Sequence, residues 1–486
     1  MSLVLFDDQA RLVEKVRGAM RQRHRNVLMV SPTGSGKTAM ALHMIYGALG
    51  KGKKIGFMVP RKTLAQQTSE SFAANGIRHG WVAAGRDFNP FCDLYICMLD
   101  TMASRVRKKA DLPKFDLLFV DEAHYGAGGM DEVIAYYKAR GTWIVGMSAT
   151  PWKLNGSGLG KYYDHMVEGE SVRWLIDNKR LSDYRYFHGK SVVERDAIPV
   201  VNGEFKKKDA SQYMEQNDAL IGDCVSDYIS RCMGRLHVVR CSSVKHSMKT
   251  AAAFRDAGVP ALHVDGETIT SDLKKAIMAF ARREIYVLTF CDLLTFGFDL
   301  SQASGMDVCI ESGSDMRMSM SLAAQMQFWG RMLRYKDYPA IINDHANNWL
   351  SHGVPSSPRT WSLRDRIQKK KGGERAPPTK QCPQEGCFAI HPPAPKCPEC
   401  GYIYPPKDRD PKQEDGEMVE LDVAAVESGN YGQAKPKTQR LDMDDPRAQQ
   451  RLDYYIRIAV KRGFKNPGTW AAKRLGEEFI AMRRQK

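Results

Sequence analysis

The chain has 486 residues, 43% of them hydrophobic, which is enough length for about two to four domains with sizeable cores. Its formal net charge of +16 favours a polyanionic partner, nucleic acid being the commonest. No run of about 18 apolar residues offers a membrane span, and Met1 to Gln9 shows no basic segment leading into an apolar one, so a cytoplasmic chain is expected.

Short apolar runs alternate with helical patterns through the first 150 residues: Val27–Val30, Ile55–Val59, Leu94–Met98, Leu117–Val120 and Trp143–Met147. A second series follows a polar stretch near 190–220: Leu236–Val239, Ala261–Val264, Ile285–Thr289, Val308–Ile310 and Ala340–Ile342. Such alternation predicts parallel sheets flanked by helices, here two α/β domains in tandem. The expected boundaries are 1–165 and 223–352 for the two domains, with 166–222 connecting them.

Beyond His352 the composition changes. Residues 353–381 read as a basic linker, with eight Lys or Arg between 359 and 381 against Asp365 and Glu374. A cysteine module follows at 382–404. Residues 405–440, rich in Pro, Lys, Glu, Asp and Gly, read as a disordered linker. Residues 441–486 regain helical periodicity and carry eleven Lys or Arg against six Asp or Glu. Tyr454, Tyr455, Phe464 and Trp470 lie among those charges, either to stack on bases or to form the core of a small helical hairpin.

The first apolar run leads into Ser31-Pro32-Thr33-Gly34-Ser35-Gly36-Lys37-Thr38, and a helical pattern follows. A phosphate-binding loop needs this strand–loop–helix context: glycines turn backbone N–H groups onto phosphates, Lys37 reaches the β- and γ-phosphates, and Thr38 binds Mg²⁺. Ser31 stands where the general pattern has Gly. Asp121-Glu122-Ala123-His124 ends the run Leu117–Val120, a position that lies beside such a loop in parallel sheets. Asp121 suits the Mg²⁺, and Glu122 suits orienting and deprotonating the attacking water.

With these two motifs in place, the chain resembles a superfamily two helicase of the DEAD/DEAH group over roughly residues 1–352. The resemblance implies two RecA-like domains, ATP and Mg²⁺, and ATP-dependent movement on nucleic acid. Gln9 stands where that family often reads adenine. Pro60 to Gln67, with Arg61, and then Thr101 with Arg105, resemble its nucleic-acid-contacting segments. Ser148-Ala149-Thr150-Pro151 matches the segment that couples hydrolysis to movement. Arg240-Cys241-Ser242-Ser243 with His246 and Phe254 is similar to the fourth motif. Thr295-Phe296-Gly297-Phe298-Asp299 resembles the fifth, which implies a nucleic-acid contact at Thr295 and a nucleotide contact at Asp299; Phe296 replaces a frequent acidic residue. Gln327-Phe328-Trp329-Gly330-Arg331-Met332-Leu333-Arg334 matches the last motif, implying catalytic roles for Gln327, Arg331 and Arg334, the arginines as fingers on the γ-phosphate.

Cys382-x4-Cys387-x9-Cys397-x2-Cys400 holds four of the eleven cysteines. Four thiolates in two pairs select structural Zn²⁺ over free thiols or an iron–sulfur cluster, with His391 available as a substitute ligand. The result would be a zinc-ribbon-like module that grips nucleic acid or a protein partner. Module and basic tail together resemble RadD-type repair helicases and their phage relatives, which favours DNA over RNA. Three functions fit: a helicase or translocase, a duplex remodeller or annealing motor that leaves strands paired, and an ATP-controlled clamp with little turnover.

Overall fold

The computed structural model describes residues 4–125, 129–153, 155–189, 200–201, 204–205, 209–211, 214, 218–266, 268, 270–291, 300–306, 308–365, 380–381, 390–391, 396, 400–402 and 418–428. They fall into two compact units, residues 366–415 and the remainder of the chain.

The first half of the large unit runs α1 (Asp7–Arg21), β1 (Asn26–Val30), α2 (Lys37–Leu49), β2 (Ile55–Val59), α3 (Lys62–Ala74), β3 (Gly80–Val82), β4 (Leu94–Met98), α4 (Leu99–Arg107), β5 (Leu117–Val120), α5 (Met130–Lys138), β6 (Trp143–Ser148) and β7 (His165–Glu168). The strands form one parallel sheet in the order β3-β4-β2-β5-β6-β1-β7. β1, β2 and β4 are buried along their whole length, because helices cover both sheet faces and leave no side for polar residues. α1 shows the complementary one-sided pattern: Leu12, Val13, Val16 and Ala19 face the core, and Asp7 and Asp8 sit in its first turn, where the helix dipole favours them.

The second half continues with α6 (Val172–Asp177), β8 (Tyr184–Gly189), a two-stranded ribbon of β9 (Val200–Val201) and β10 (Glu204–Phe205), α7 (Asp218–Asp227), β11 (His237–Arg240), α8 (Val244–Asp256), β12 (Ala261–Val264), α9 (Thr270–Ala281), β13 (Val287–Phe290), α10 (Leu300–Ser304), β14 (Ser312–Asp315), α11 (Leu322–Met332), β15 (Ala340–Asp344) and α12 (Trp349–His352). Their sheet has the order β12-β13-β11-β14-β15-β8-β18, where β18 is Met418–Glu420. It is parallel except for β18, which pairs antiparallel with β8. A final helix, α13 (Val423–Glu427), follows β18. The small unit contributes one antiparallel pair, β16 (Lys380–Gln381) with β17 (Ile390–His391).

Four expectations from the sequence change. The second domain starts near 172 rather than 223: β8 pairs with β15, and Val172, Leu175 and Ile176 of α6 enter the second core. Its aromatic and polar string Tyr-Arg-Tyr-Phe-His-Gly is not an apolar run. The strand expected at Val308–Ile310 lies instead at Ser312–Asp315, where hydrogen bonds replace apolar packing: His237 meets Ser312 Oγ at 2.8 Å and Ser314 Oγ at 3.1 Å. The stretch read as a disordered linker supplies β18 and α13, which bury Met418, Leu421 and Val426.

The fourth change concerns the basic linker, whose first part, 353–365, is docked on the large unit. Val354 is fully buried, and Arg359 donates to the carbonyls of Pro355, Ser357, His352 and Val354 at 2.7–3.2 Å. Arg240, from the fourth-motif resemblance, is likewise structural: its buried guanidinium forks onto Asp315 at 2.9 and 2.5 Å. Most of the cysteine module and the whole segment 441–486 lie outside the described residues. No helix among the described residues is long and apolar enough to cross a membrane.

Candidate active site

The C-terminal ends of β1, β2, β4, β5 and β6 all open onto one edge of the first sheet, where ligand crevices of parallel sheets form. The phosphate loop, Arg61, Thr101, Asp121 and Ser148 therefore emerge side by side. Gly34 and Gly36 have φ of 87° and 86°, the left-handed conformation that an inward-turned loop demands. Lys37 donates to the carbonyls of Ser31 and Pro32 at 3.0 and 3.2 Å. Burial lowers its pKa, while Glu122 and Asp121 act in the opposite direction. Thr38 is exposed at the first turn of α2, and Ser35 is buried with its hydroxyl 2.7 Å from that of Ser31.

Gln9 lies against this loop. Its Nε2 donates to Ser35 O at 2.9 Å, and its Oε1 accepts from Phe6 N at 3.1 Å. A Cβ on Gly36 would fall 2.3 Å from Gln9 Nε2, so a side chain there would displace the Gln9 amide.

Asp121 and Glu122 sit at the end of β5, with Glu122 in the left-handed region at φ 48°. Such a residue costs of order 1 kcal/mol or more and persists only where its surroundings fix it. Burial raises both carboxyl pKa values; each is opposed by the Lys37 charge, and Arg331 also acts on Glu122. His124 is buried, and burial together with Lys37 pushes it down to about 3, so the imidazole is neutral. Its Nδ1 is 3.0 Å from Ser148 Oγ, which in turn donates to Thr150 O at 2.5 Å.

The second domain completes the site through α11, whose eleven residues are all buried. Ser321 caps this helix by accepting from Ala324 N. Gln327 Nε2 donates to Glu122 Oε2 at 3.1 Å and to His124 Nε2 at 3.0 Å. With the glutamine nitrogen as donor, His124 Nε2 is the acceptor and Nδ1 carries the hydrogen toward Ser148. Gly330 rests on the phosphate loop, where a Cβ would meet Thr33 Cβ at 2.3 Å. Leu181 packs beside Gly34, and Arg180 pairs with Asp8 at 3.1 Å while lying over the Phe6 ring.

The motifs thus meet across one cleft within the large unit. Arg331 is buried, and its charge acts on Glu122. Arg334 donates to Ser301 Oγ at 3.4 Å and forms an isolated bridge with Leu181. Arg61 lies over the Tyr125 ring at 5.6 Å, Thr101 Oγ1 accepts from Ala84 N at 3.1 Å, and Arg105 is half-buried on α4. Thr295 and Asp299 fall outside the described residues, as do Cys382, Cys387 and Cys397; Cys400 is exposed. The sequence reading left out His124 and Gly330, both inside motifs it quoted. It also left out the Asp8–Arg180 pair, whose partners stand 172 residues apart with no local signal.

Comparison with known proteins agrees with this arrangement. Residues 2–153 match the family described as "Type III restriction enzyme, res subunit". The chain is 30% identical over 382 residues to the "51.5 kDa protein" of Lactococcus phage (isolate 7-9), an alignment covering 78% of each. It is 26% identical over 302 residues to the "Putative mitochondrial ATP-dependent helicase irc3" of Schizosaccharomyces pombe, covering 58% of this chain and 48% of that one. Among solved structures, a fragment of a putative HsdR subunit of a type I restriction enzyme from Vibrio vulnificus YJ016 superposes with TM-score 0.55 at 18% identity, over 71% of this chain and 65% of that one. The Type ISP restriction-modification enzyme LlaBIII, bound to DNA, superposes with TM-score 0.50 at 17% identity, over 71% of this chain and 28% of that one. The chain thus spans less than two thirds of irc3, of the HsdR fragment and of LlaBIII. These likenesses lead to one assignment: the chain belongs to one family with the 51.5 kDa phage protein, and its first domain matches the Type III restriction enzyme res-subunit family.

Proposed function

We propose that this protein is an ATP-driven motor on DNA, which moves along a strand by closing and opening the cleft between its two RecA-like domains. One observation carries the reading: Gln327 of the second domain bonds Glu122 of the first at 3.1 Å, so the hydrolytic site is composite. Closing the cleft assembles the site, and opening it dismantles it.

Lys37 exchanges the loop carbonyls for the β- and γ-phosphates when nucleotide enters. The donor set fits a hard divalent cation, since positive charge relieves the strain of two buried carboxylates. Thr38 and Asp121 would hold Mg²⁺, which neutralises phosphate charge when bound. Glu122 accepts a proton as the water oxygen attacks Pγ and the bond to the β-phosphate oxygen breaks. Arg331 and Arg334 stabilise the charge that spreads over the γ-phosphoryl oxygens. Gln9 is read as the adenine contact; Arg61, Thr101, Arg105 and Thr295 as nucleic-acid contacts; Asp299 as a nucleotide contact; and Ser148 and Thr150 as the coupling segment.

Within superfamily two, Asp121-Glu122-Ala123-His124 favours the DEAH type, and the cysteine module favours RadD-type enzymes. We read Cys382, Cys387, Cys397 and Cys400 as ligands of one structural Zn²⁺. Support comes from Gly401, whose φ of 76° suits the turn of a thiolate knuckle, and from the β16–β17 pair that brackets the first two cysteines. Metal analysis of protein purified without added zinc tests this; less than one zinc per chain in folded protein would exclude it.

The motor itself is tested by ATPase rates with single-stranded DNA, duplex DNA, forked DNA and RNA, paired with a strand-displacement assay. DNA stimulation with displacement of the forked strand identifies a helicase, and stimulation by duplex alone a remodeller. Turnover indifferent to every nucleic acid would overturn the proposal.

A further inference from the structure

The docked segment 354–365 contacts both domains. At its start, Ser356 is buried and hydrogen-bonded to Tyr184 of β8, and Arg359 lies over the Trp329 ring of α11 at 6.0 Å. Trp329 is two residues from Gln327 and two from Arg331. At its end, the segment crosses to the first domain. Gly160 N donates to Leu363 O at 2.8 Å, Trp152 Nε1 donates to Arg364 O at 2.9 Å, and Gly158 N donates to Asp365 Oδ1 at 2.8 Å. Between the two anchors, Trp361 packs against the cores of both domains and meets the Trp152 ring edge-on at 5.0 Å.

Trp152 is joined to the hydrolytic centre. Thr150 Oγ1 donates to Trp152 O at 3.2 Å, Ser148 Oγ donates to Thr150 O at 2.5 Å, and Ser148 meets His124 beside Glu122. The seat itself is shaped for the strap: a Cβ on Gly158 would fall 2.2 Å from Leu363 O and 2.4 Å from the Arg364 carbonyl carbon, both backbone atoms that cannot swing aside. An unstructured basic linker would need neither this glycine nor the Trp152–Trp361 contact.

We propose that Trp361 and the strap around it are positioning elements for hydrolysis, fixing the Ser148–Thr150–Trp152 segment against α11 so that Glu122, Gln327 and Arg331 come into register. This deepens the motor reading and rests on it.

Two lesions on opposite sides of the contact test this in the full-length protein: Trp361→Ala on the strap and Gly158→Ala on its seat. Misplacement of catalytic groups by about 1 Å can cost roughly 100-fold. Each variant is therefore expected to lower kcat, with and without single-stranded DNA, by about 10- to 100-fold, leaving KM for ATP within about twofold in protein that remains folded at the assay temperature. Trp361→Phe, which keeps an aromatic ring on Trp152, should restore most of kcat and serves as the folded control. Wild-type kcat in folded Trp361→Ala or Gly158→Ala would overturn the proposal, as would a loss confined to KM or to folding. The comparison of basal rates tests the strap even if DNA fails to stimulate the wild type, an outcome that would count against the motor reading instead.

Discussion

Nε2 of Gln327 lies 3.1 Å from Oε2 of Glu122, although 205 residues separate the two. The same amide nitrogen reaches His124 Nε2 at 3.0 Å, so one side chain of the second domain spans the carboxylate and the imidazole of the first. Gln327→Ala should cut kcat with little change in nucleotide affinity. Glu122→Gln should cut it further, by roughly 10²–10⁴ as expected for a lost general base, while trapping ATP. Nucleotide binding by calorimetry beside single-turnover rates separates the two effects. Equal losses of affinity in both variants would contradict these roles.

Gly330 of α11 lies against Thr33 of the phosphate loop. A Cβ there would stand 2.3 Å from Thr33 Cβ and 2.7 Å from its Cγ2, so Gly330→Ala must push the helix away. Closure should weaken and kcat fall by about 100-fold or more. Thr33→Ser removes the opposing methyl and should recover part of the loss in the double variant. Additive losses would show that the two residues do not meet in the working cleft.

The carboxylate pair sets a pH dependence. Burial first, and the Glu122 charge second, raise Asp121 to about 7 from an ordinary 3.8. Mg²⁺ with ATP needs the deprotonated pair, so affinity should be full above that value and fall as pH drops through it, with proton release on binding. In Glu122→Gln the repelling charge is gone, and the midpoint should move to lower pH. Calorimetry in buffers of different ionisation enthalpy reads the protons. A midpoint unmoved by the substitution would exclude Glu122 as the cause.

The docked C-terminal segments alter what truncation should do. Deleting 430–486 leaves every described contact of the large unit in place, whereas deleting 353–486 removes the strap and β18. The latter uncovers β8 and loses the buried side chains of Met418, Leu421 and Val426, together with the Arg185–Glu420 fork at 2.8 and 2.6 Å. Each buried apolar side chain contributes roughly 1.5–3 kcal/mol, so the shorter chain should melt several degrees lower and hydrolyse ATP more slowly. Identical melting curves for the two truncations would refute the structural role of β18 and the strap.

How much of this was legible in the sequence depends on residue type. Ile55–Val59, Leu94–Met98 and Leu117–Val120 are strands at the expected positions, because strands covered on both faces display apolar residues; Ala261–Val264 is also a strand where expected, although its edge position leaves Leu262 exposed. β14 escaped because Ser312, Ser314 and Asp315 satisfy their polar atoms on His237 and Arg240 inside the sheet. β8 escaped because its string of aromatic and polar residues shows no apolar run, and β18 because it is a three-residue edge strand donated from far along the chain. Ser31–Thr38 and Asp121-Glu122 stand out in the sequence as short-spaced motifs, and the structure brings Lys37 within electrostatic reach of both carboxylates. Contacts such as Gly330 on Thr33, or Trp361 on Trp152, depend on how distant elements dock, and no local spacing announces them.

The central claim is that one ATP site is built from both domains and serves movement on DNA. Its most direct test is the steady-state ATPase rate of wild type and Arg331→Ala, each with and without single-stranded DNA. The wild type should be stimulated by DNA, and Arg331→Ala should lose roughly 10³–10⁵ in the stimulated rate while still binding ATP. A folded Arg331→Ala protein that hydrolyses ATP at the wild-type stimulated rate would contradict the claim.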